Sequence, residues 1–280
     1  MNFKETSGHW LGIFVHAKKT APKKLGFTLA EVLITLGVIG IVAALTIPPL
    51  VANYQKSVYV TQLQKFYAEF QVGAKSYYAS QDCQDLKCTG SFDGATAWAI
   101  PSLEPNLEDF VSKSFKITKS YGFEGTYDVA ARYLAYAWDQ SQYCFTNAQY
   151  SFMTADGFLV GIQTDTSEGC VIFDNVCATV YVDINGFKGP NIFGRDAFQF
   201  YLLNDGSLIA EGSKQWQKEQ AQNWVGFPDE VIESATSPYY WRNNPNECGD
   251  PASKAFKPDD YVQGIGCAAR IMENGWKMDY

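Results

Sequence analysis

Residues 23–52 read KKLGFTLAEVLITLGVIGIVAALTIPPLVA. From Val32 to Ala52, 21 residues carry no charged side chain. As a helix, such a run is long enough to cross a hydrocarbon core of about 30 Å. Lys18, Lys19, Lys23 and Lys24 lie on its N-terminal side. By the positive-inside bias that side stays in the cytoplasm and the rest of the chain is exported. The competing readings are a buried core helix and a secretory signal peptide. A signal peptide has a shorter apolar core followed by a small-residue cleavage site, whereas Ile47-Pro48-Pro49 ends this run.

Working outward, the charge divides at the start of the run. The 280-residue chain has a formal net charge of −8. Residues 1–26 hold five lysines against one glutamate, a net of +4, together with both histidines, His9 and His16. The remaining 254 residues hold 17 basic and 29 acidic side chains, a net of −12, together with all seven cysteines. A short basic piece before an acidic body reads as an address segment and a working part. A body with no histidine has no Ser-His-Asp triad and no His-based zinc site. Its acidity argues against nucleic acid as a partner, since phosphate contacts need Lys and Arg. No Gly-x-Ser-x-Gly elbow and no phosphate-binding glycine loop occurs. Catalysis would rest on carboxylates alone, and the sequence places no pair of them, so the chain is read as not an enzyme.

One residue fits poorly with simple anchoring. Glu31 sits inside the apolar segment, where a carboxylate costs about 2.5–3.5 kcal/mol at mid-bilayer depth and less near the interface. Either it reaches headgroups, or another molecule supplies a positive partner. The run Lys23-Lys24-Leu25-Gly26, then Phe27-Thr28-Leu29-Ala30-Glu31, then an apolar stretch ending at Pro48, resembles the N-terminal signal of type IV pilins and type II secretion pseudopilins. The resemblance covers roughly the first 50 residues. It implies cutting by a membrane-embedded prepilin peptidase after Gly26, leaving Phe27 as an N-methylated first residue. It also implies an assembly role for Glu31 and Pro48, with Glu31 facing the N-terminal amine of a neighbouring subunit. The implied partners are prepilin peptidase, other pilin or pseudopilin subunits, the inner-membrane assembly machinery and membrane lipid.

Beyond the prolines, Leu63, Phe66, Tyr67, Phe70, Ala74 and Tyr77 repeat at helical spacing. One helix is expected from near Phe27 to about Tyr78, with Pro48-Pro49 kinking or locally melting it. Two helices joined at the prolines are the alternative. The expected divisions are a leader over 1–26, a membrane and assembly helix over 27–52, its amphipathic extension over 53–81, and an exported head over 82–280. In the head, hairpins are expected over Tyr150–Met153 with Phe158–Gln163 and over Ala197–Leu203 with Ser207–Ala210, and a strand over Val176–Ile184. Short helices are expected over Lys214–Asn223 and Ala268–Asn274. At least five close-spaced strands covered by the helix make an α+β fold with an antiparallel sheet, the lollipop layout that the resemblance implies.

Seven cysteines on the exported side point to disulfides. Local spacing suggests Cys83–Cys88, Cys170–Cys177 and Cys248–Cys267, leaving Cys144 over. Residues 183–196 place Asp183, Asn185, Asn191 and Asp196 among Gly186, Gly189 and Gly194. Such a loop is a candidate Ca²⁺ site, although the same residues are ordinary turn formers. Trp216, Trp224, Tyr239, Tyr240, Trp241 and Trp276 form either an adhesive aromatic surface or internal packing.

The reading is therefore a prepilin-type structural subunit of a type IV pilus or a type II secretion pseudopilus. The size and irregularity of the head lean toward a minor subunit. The alternative is an extracellular binding or adhesion module held by its membrane anchor. The exported chain is expected to begin at Phe27, with the head outside the cytoplasmic membrane; an intact mass with any other start contradicts the reading.

Overall fold

The computed structural model describes residues 26–93, 104–122, 128–129, 145, 148–164, 170, 175–216, 248 and 264–280. The chain divides into two units, Met1–Leu50 and Val51–Tyr280. Helix α1, Leu29–Ser80, belongs to both.

In the first unit the apolar residues of α1 lie bare around the whole helix, with Leu33, Ile34 and Leu45 among the exposed side chains. A helix that is apolar on every side needs another apolar medium. This one is long and apolar enough to cross a membrane. The expected melting at Pro48-Pro49 does not occur, because α1 runs on through both prolines. Each proline deletes one donor, while the hydrogen bonds on either side keep the helix going. Two separate helices are excluded for the same reason.

The second unit is a helix laid on a six-stranded antiparallel meander, an α+β fold. Strands β1 (Ile117–Gly122), β2 (Tyr150–Thr154), β3 (Leu159–Gln163), β4 (Val176–Asp183), β5 (Ala197–Leu203) and β6 (Leu208–Ala210) pair in sequence order. Because strand side chains alternate between faces, residue parity sorts the sheet. Phe152, Val160, Ile162, Val180, Val182, Phe198, Phe200 and Leu202 lie in one core together with Leu63, Phe66, Phe70, Ala74 and Tyr77 of α1. Leu159, Tyr181 and Ala197 pack in a second cluster with Val129, Phe145 and Phe193. Val176, Leu203 and Ile209 form a third with Trp216. Register keeps the first face continuous: Phe152 opposes Val160, Val160 opposes Val182, and Val182 opposes Phe198. Every residue of β4 is buried, so the strand is covered on both sides.

The hairpins and the central strand lie where the sequence pattern places them, within a residue or two. Among the described residues, strand β1, one helix and the single 3-10 turn Lys87–Thr89 were missed. Strand β1 (ITKSYG) is an edge strand with Thr118, Lys119 and Ser120 exposed and none of its residues fully buried, so it has no buried face to impose alternation on its sequence. Helix α2 (Glu104–Ser114) does carry a signal, with Leu107, Phe110 and Val111 buried at helical spacing and Pro105 in its first turn. Helix α3, Cys267–Glu273, lies in the expected tail. Of the expected Lys214–Asn223 helix, 214–216 are helical and the rest lies outside the described residues.

Helix α1 also closes a sheet edge. The Tyr67 hydroxyl donates to the Leu208 carbonyl at 3.1 Å, and the Leu208 N–H donates to Gln71 Oε1 at 3.3 Å. Exposed strand edges invite unwanted pairing, and here helix side chains occupy the outward groups of β6. Phe66 is the centre of the helix–sheet contact, with ring centroids 5.5 Å from Phe70, 5.8 Å from Phe158 and 6.1 Å from Phe200. Phe66→Ala is expected to destabilise the second unit by about 3–5 kcal/mol, read as a lower denaturation midpoint with unchanged slope.

Candidate functional site

Two segments carry the candidate residues. In the first, Gly26 and Phe27 precede α1 and are exposed, Phe27 to 88%. The bond between them therefore lies in open, non-helical chain, as a cleavage site requires. Immediately after it, Thr28 and Glu31 form a capping box. The Glu31 N–H donates to Thr28 Oγ1 at 3.2 Å, and the Thr28 N–H donates to Glu31 Oε2 at 2.8 Å. The Thr28 hydroxyl adds a bond to the same Oε2 at 3.0 Å. A helix start leaves backbone donors without partners, and this reciprocal arrangement satisfies two of them. The Thr-x-x-Glu spacing was legible in the sequence, but Glu31 was read there only for partners outside its own chain. Pro48 lies inside α1 in the first unit.

The second segment joins β4 to β5 and brings the four candidate oxygen residues together. Asp183, Asn191 and Asp196 are fully buried, and Asn185 is half-buried. The Asp196 carboxylate organises the loop. Its Oδ1 accepts from the Ile192 N–H at 2.8 Å, and its Oδ2 accepts from the Asn191 N–H at 3.0 Å and the Asn185 side-chain amide at 3.1 Å. Asp183 Oδ1 accepts from the Asn185 N–H at 3.0 Å. With its amide oriented to suit its neighbours, Asn191 donates to the Lys188 carbonyl and to Asp183 Oδ2. Burial raises Asp196 above its ordinary value, and the N–H groups of Ile192 and Asn191 oppose that shift. Among the described residues, no group of three or more His, Cys, Asp or Glu side chains is gathered that would hold a metal ion.

Two other parts of the second unit clasp this loop. Tyr59 of α1 lies against it; burial, then the charge of Asp196, raises its phenol above the ordinary value. On the other side, the Tyr280 hydroxyl donates to the Gly194 carbonyl at 2.5 Å. Gly194 has φ +81°, and a Cβ there would meet the Cys267 sulfur at 2.5 Å. Glycine is therefore required both by the backbone and by the approach of the disulfide. Disulfides join Cys83 to Cys88, Cys170 to Cys177 and Cys248 to Cys267. Cys144 lies outside the described residues.

Of the two readings of the aromatic residues, packing is the one that the described rings take. Trp216 is buried and stacks on Tyr201 with ring centroids 3.9 Å apart, and Trp276 packs edge-on against Tyr67. Both serve packing, since these large apolar rings gain most by leaving water. Trp224, Tyr239, Tyr240 and Trp241 lie outside the described residues.

Residues 22–47 match the family described as the prokaryotic N-terminal methylation motif. That motif is the signature of the prepilin-type signals of type IV pilins and pseudopilins, and the chain carries it. No curated protein and no solved structure matches the chain.

Asp196→Asn is expected to destabilise the second unit by about 1–3 kcal/mol, because an amide nitrogen would face donors that need an acceptor. The pH dependence has a definite sign. A carboxyl whose folded value is raised binds more protons folded than unfolded, so its contribution to stability falls as pH rises through that window. The wild-type advantage over Asp196→Asn is expected to grow on acidification from neutral pH toward the carboxylate range, measured by paired denaturation curves. Added Ca²⁺ or chelator leaves melting unchanged if protein N–H groups alone close the loop, whereas a chelator-sensitive midpoint identifies the four side chains as ligands.

Proposed function

We propose that this chain is a prepilin-type structural subunit. It is cut between Gly26 and Phe27, held in the cytoplasmic membrane by residues 27–52 with its head outside, and assembled through α1 into a type IV pilus or a type II secretion pseudopilus. The observation that carries the reading is the combination at one helix end. A prepilin-type motif spans residues 22–47, and the helix it begins is bare and apolar on all sides through Leu50. Such a helix is as well suited to packing among its own copies as to lipid, so it serves first as an anchor and then as a filament core. Prepilin peptidase and sibling subunits are the partners this requires. A head of about 200 residues supports the role of minor subunit.

Glu31 has two tasks in this scheme. In its own chain it caps α1 through Oε2. Cleavage after Gly26 creates an amine at Phe27, and a carboxylate packed in an apolar filament core needs such a positive partner. The amine of a neighbouring subunit supplies it and so sets the axial register.

Glu31→Ala is expected to abolish incorporation into filaments while the second unit melts within about 0.5 kcal/mol of wild type, as for a substitution distant from its core. Sheared-filament yield and head melting together read the outcome. Wild-type incorporation of Glu31→Ala overturns the role of Glu31. A processed chain that stays in the membrane and enters no filament overturns the structural-subunit reading and leaves an anchored module.

A further inference from the structure

The second unit has two distinguishable ends. At one, the stretch of α1 from Tyr59 to Phe66 meets the β2–β3 turn and the β4–β5 loop. Tyr59 lies against the loop, Phe66 packs on Phe158, and Lys65 pairs with Asp156. At the other end, later turns of α1 meet the β5–β6 turn. A Cβ at Gly206 would touch Lys75 and Ala74, and the Leu86 N–H donates to the Asn204 carbonyl at 2.8 Å. The chain enters this unit at Val51. Tyr59 follows eight residues later, about 12 Å at 1.5 Å per residue.

At the entry end the charges that reach the surface are mostly cationic, Lys56, Lys65, Lys188 and Arg195 against Glu69 and Asp156. Between Val51 and Ala68, α1 holds Lys56 and Lys65 and no acid. Lys56 stands one turn before Tyr59 on the same helix face. The β4–β5 loop adds Lys188 and Arg195, both exposed. Its two acids, Asp183 and Asp196, are buried and engaged within the loop. Lys65 is paired with Asp156 and Glu69. Among the described residues, Lys56, Lys188 and Arg195 form no ion pair. A body of net −12 thus presents three uncompensated cations where its chain leaves the apolar segment.

We infer that this end of the head, through Lys56, Lys188 and Arg195, docks on the anionic headgroups of the membrane in which the apolar helix is anchored. The inference rests on the anchoring proposed above. Basic groups within a Debye length of an anionic surface are each drawn to it modestly, and the attraction is screened by salt. Three such contacts are too few to recruit a soluble protein firmly. They suffice for a head already tethered beside the surface, because the tether supplies a high effective concentration. The contact holds the head against the bilayer until extraction and is broken when the subunit leaves.

Amine footprinting of the full chain in nanodiscs reads the contact on the natural lysines. A water-soluble acylating reagent is applied in discs of phosphatidylglycerol with phosphatidylcholine, and in discs of phosphatidylcholine alone. In the anionic discs, modification of Lys56 and Lys188 is expected to slow about tenfold, with recovery in high salt. Lys87, exposed at the opposite end, keeps its rate and serves as the control. Arg195→Glu should weaken the protection of Lys188. Equal rates in the two kinds of disc overturn the docking while leaving the anchor intact. So does protection that persists in high salt. Protection that follows the number of chains per disc overturns it in favour of contact between copies. A chain that does not enter the discs removes the anchoring itself and the docking with it.

Discussion

The sheet face formed by Phe152, Val160, Val180, Val182, Phe198 and Phe200 packs against α1, with Phe110 of α2 and Ile271 of α3 in the same core, and that cover is what the second unit depends on. Leu63, Phe66, Phe70, Ala74 and Tyr77 of α1 complete the core. The aromatic contacts around Phe66 join the helix to both hairpins. The same helix supplies Tyr67 and Gln71 to the edge of β6. Burial of one amphipathic stripe therefore sets the position of the sheet, closes one of its edges and brings Tyr59 to the β4–β5 loop.

That dependence gives α1 two different environments along one continuous backbone. Before Leu50 the helix is apolar on every side. Past Val60 it has one buried stripe and polar flanks such as Gln64, Lys65 and Lys75. The prolines between these stretches do not interrupt the helix. The β4–β5 loop is a second point of convergence. It is tied internally by Asp196, gripped by Tyr280 through Gly194, and packed so closely on Cys267 that only glycine fits. The chain's final segment is thereby fixed to the loop that Tyr59 of α1 lies against.

Much of this was legible in the sequence because it follows from period and charge. The bare apolar run and the stripe from Leu63 to Tyr77 are patterns that burial imposes directly on residue order. Strand β1 was not legible, since an edge strand with its polar middle exposed has no strong alternation to show. The intrachain role of Glu31 was legible as Thr-x-x-Glu but was masked by the cost of a carboxylate in an apolar segment, which draws attention to outside partners. Trp216 was left open in the sequence between surface and packing, and its stacking on Tyr201 decides for packing.

By itself, the sequence determined that this is a chain with a basic N-terminal piece, an apolar helix able to cross a membrane, and an acidic, histidine-free body of helix and antiparallel strands. These properties are sums and periods along the chain, and no contact between distant residues is needed to read them. The tertiary structure alone decided that Asp183, Asn185, Asn191 and Asp196 form one knot, with the Asp196 oxygens taken by the loop's own N–H groups. It alone placed that knot against Tyr59 and the chain's last residue, and left Lys56, Lys188 and Arg195 uncompensated at the end where the chain enters. Hydrogen-bond partners and ion pairs depend on angstrom-scale proximity, both within the loop and to Tyr280, 86 residues from Gly194, and residue order does not encode such proximity.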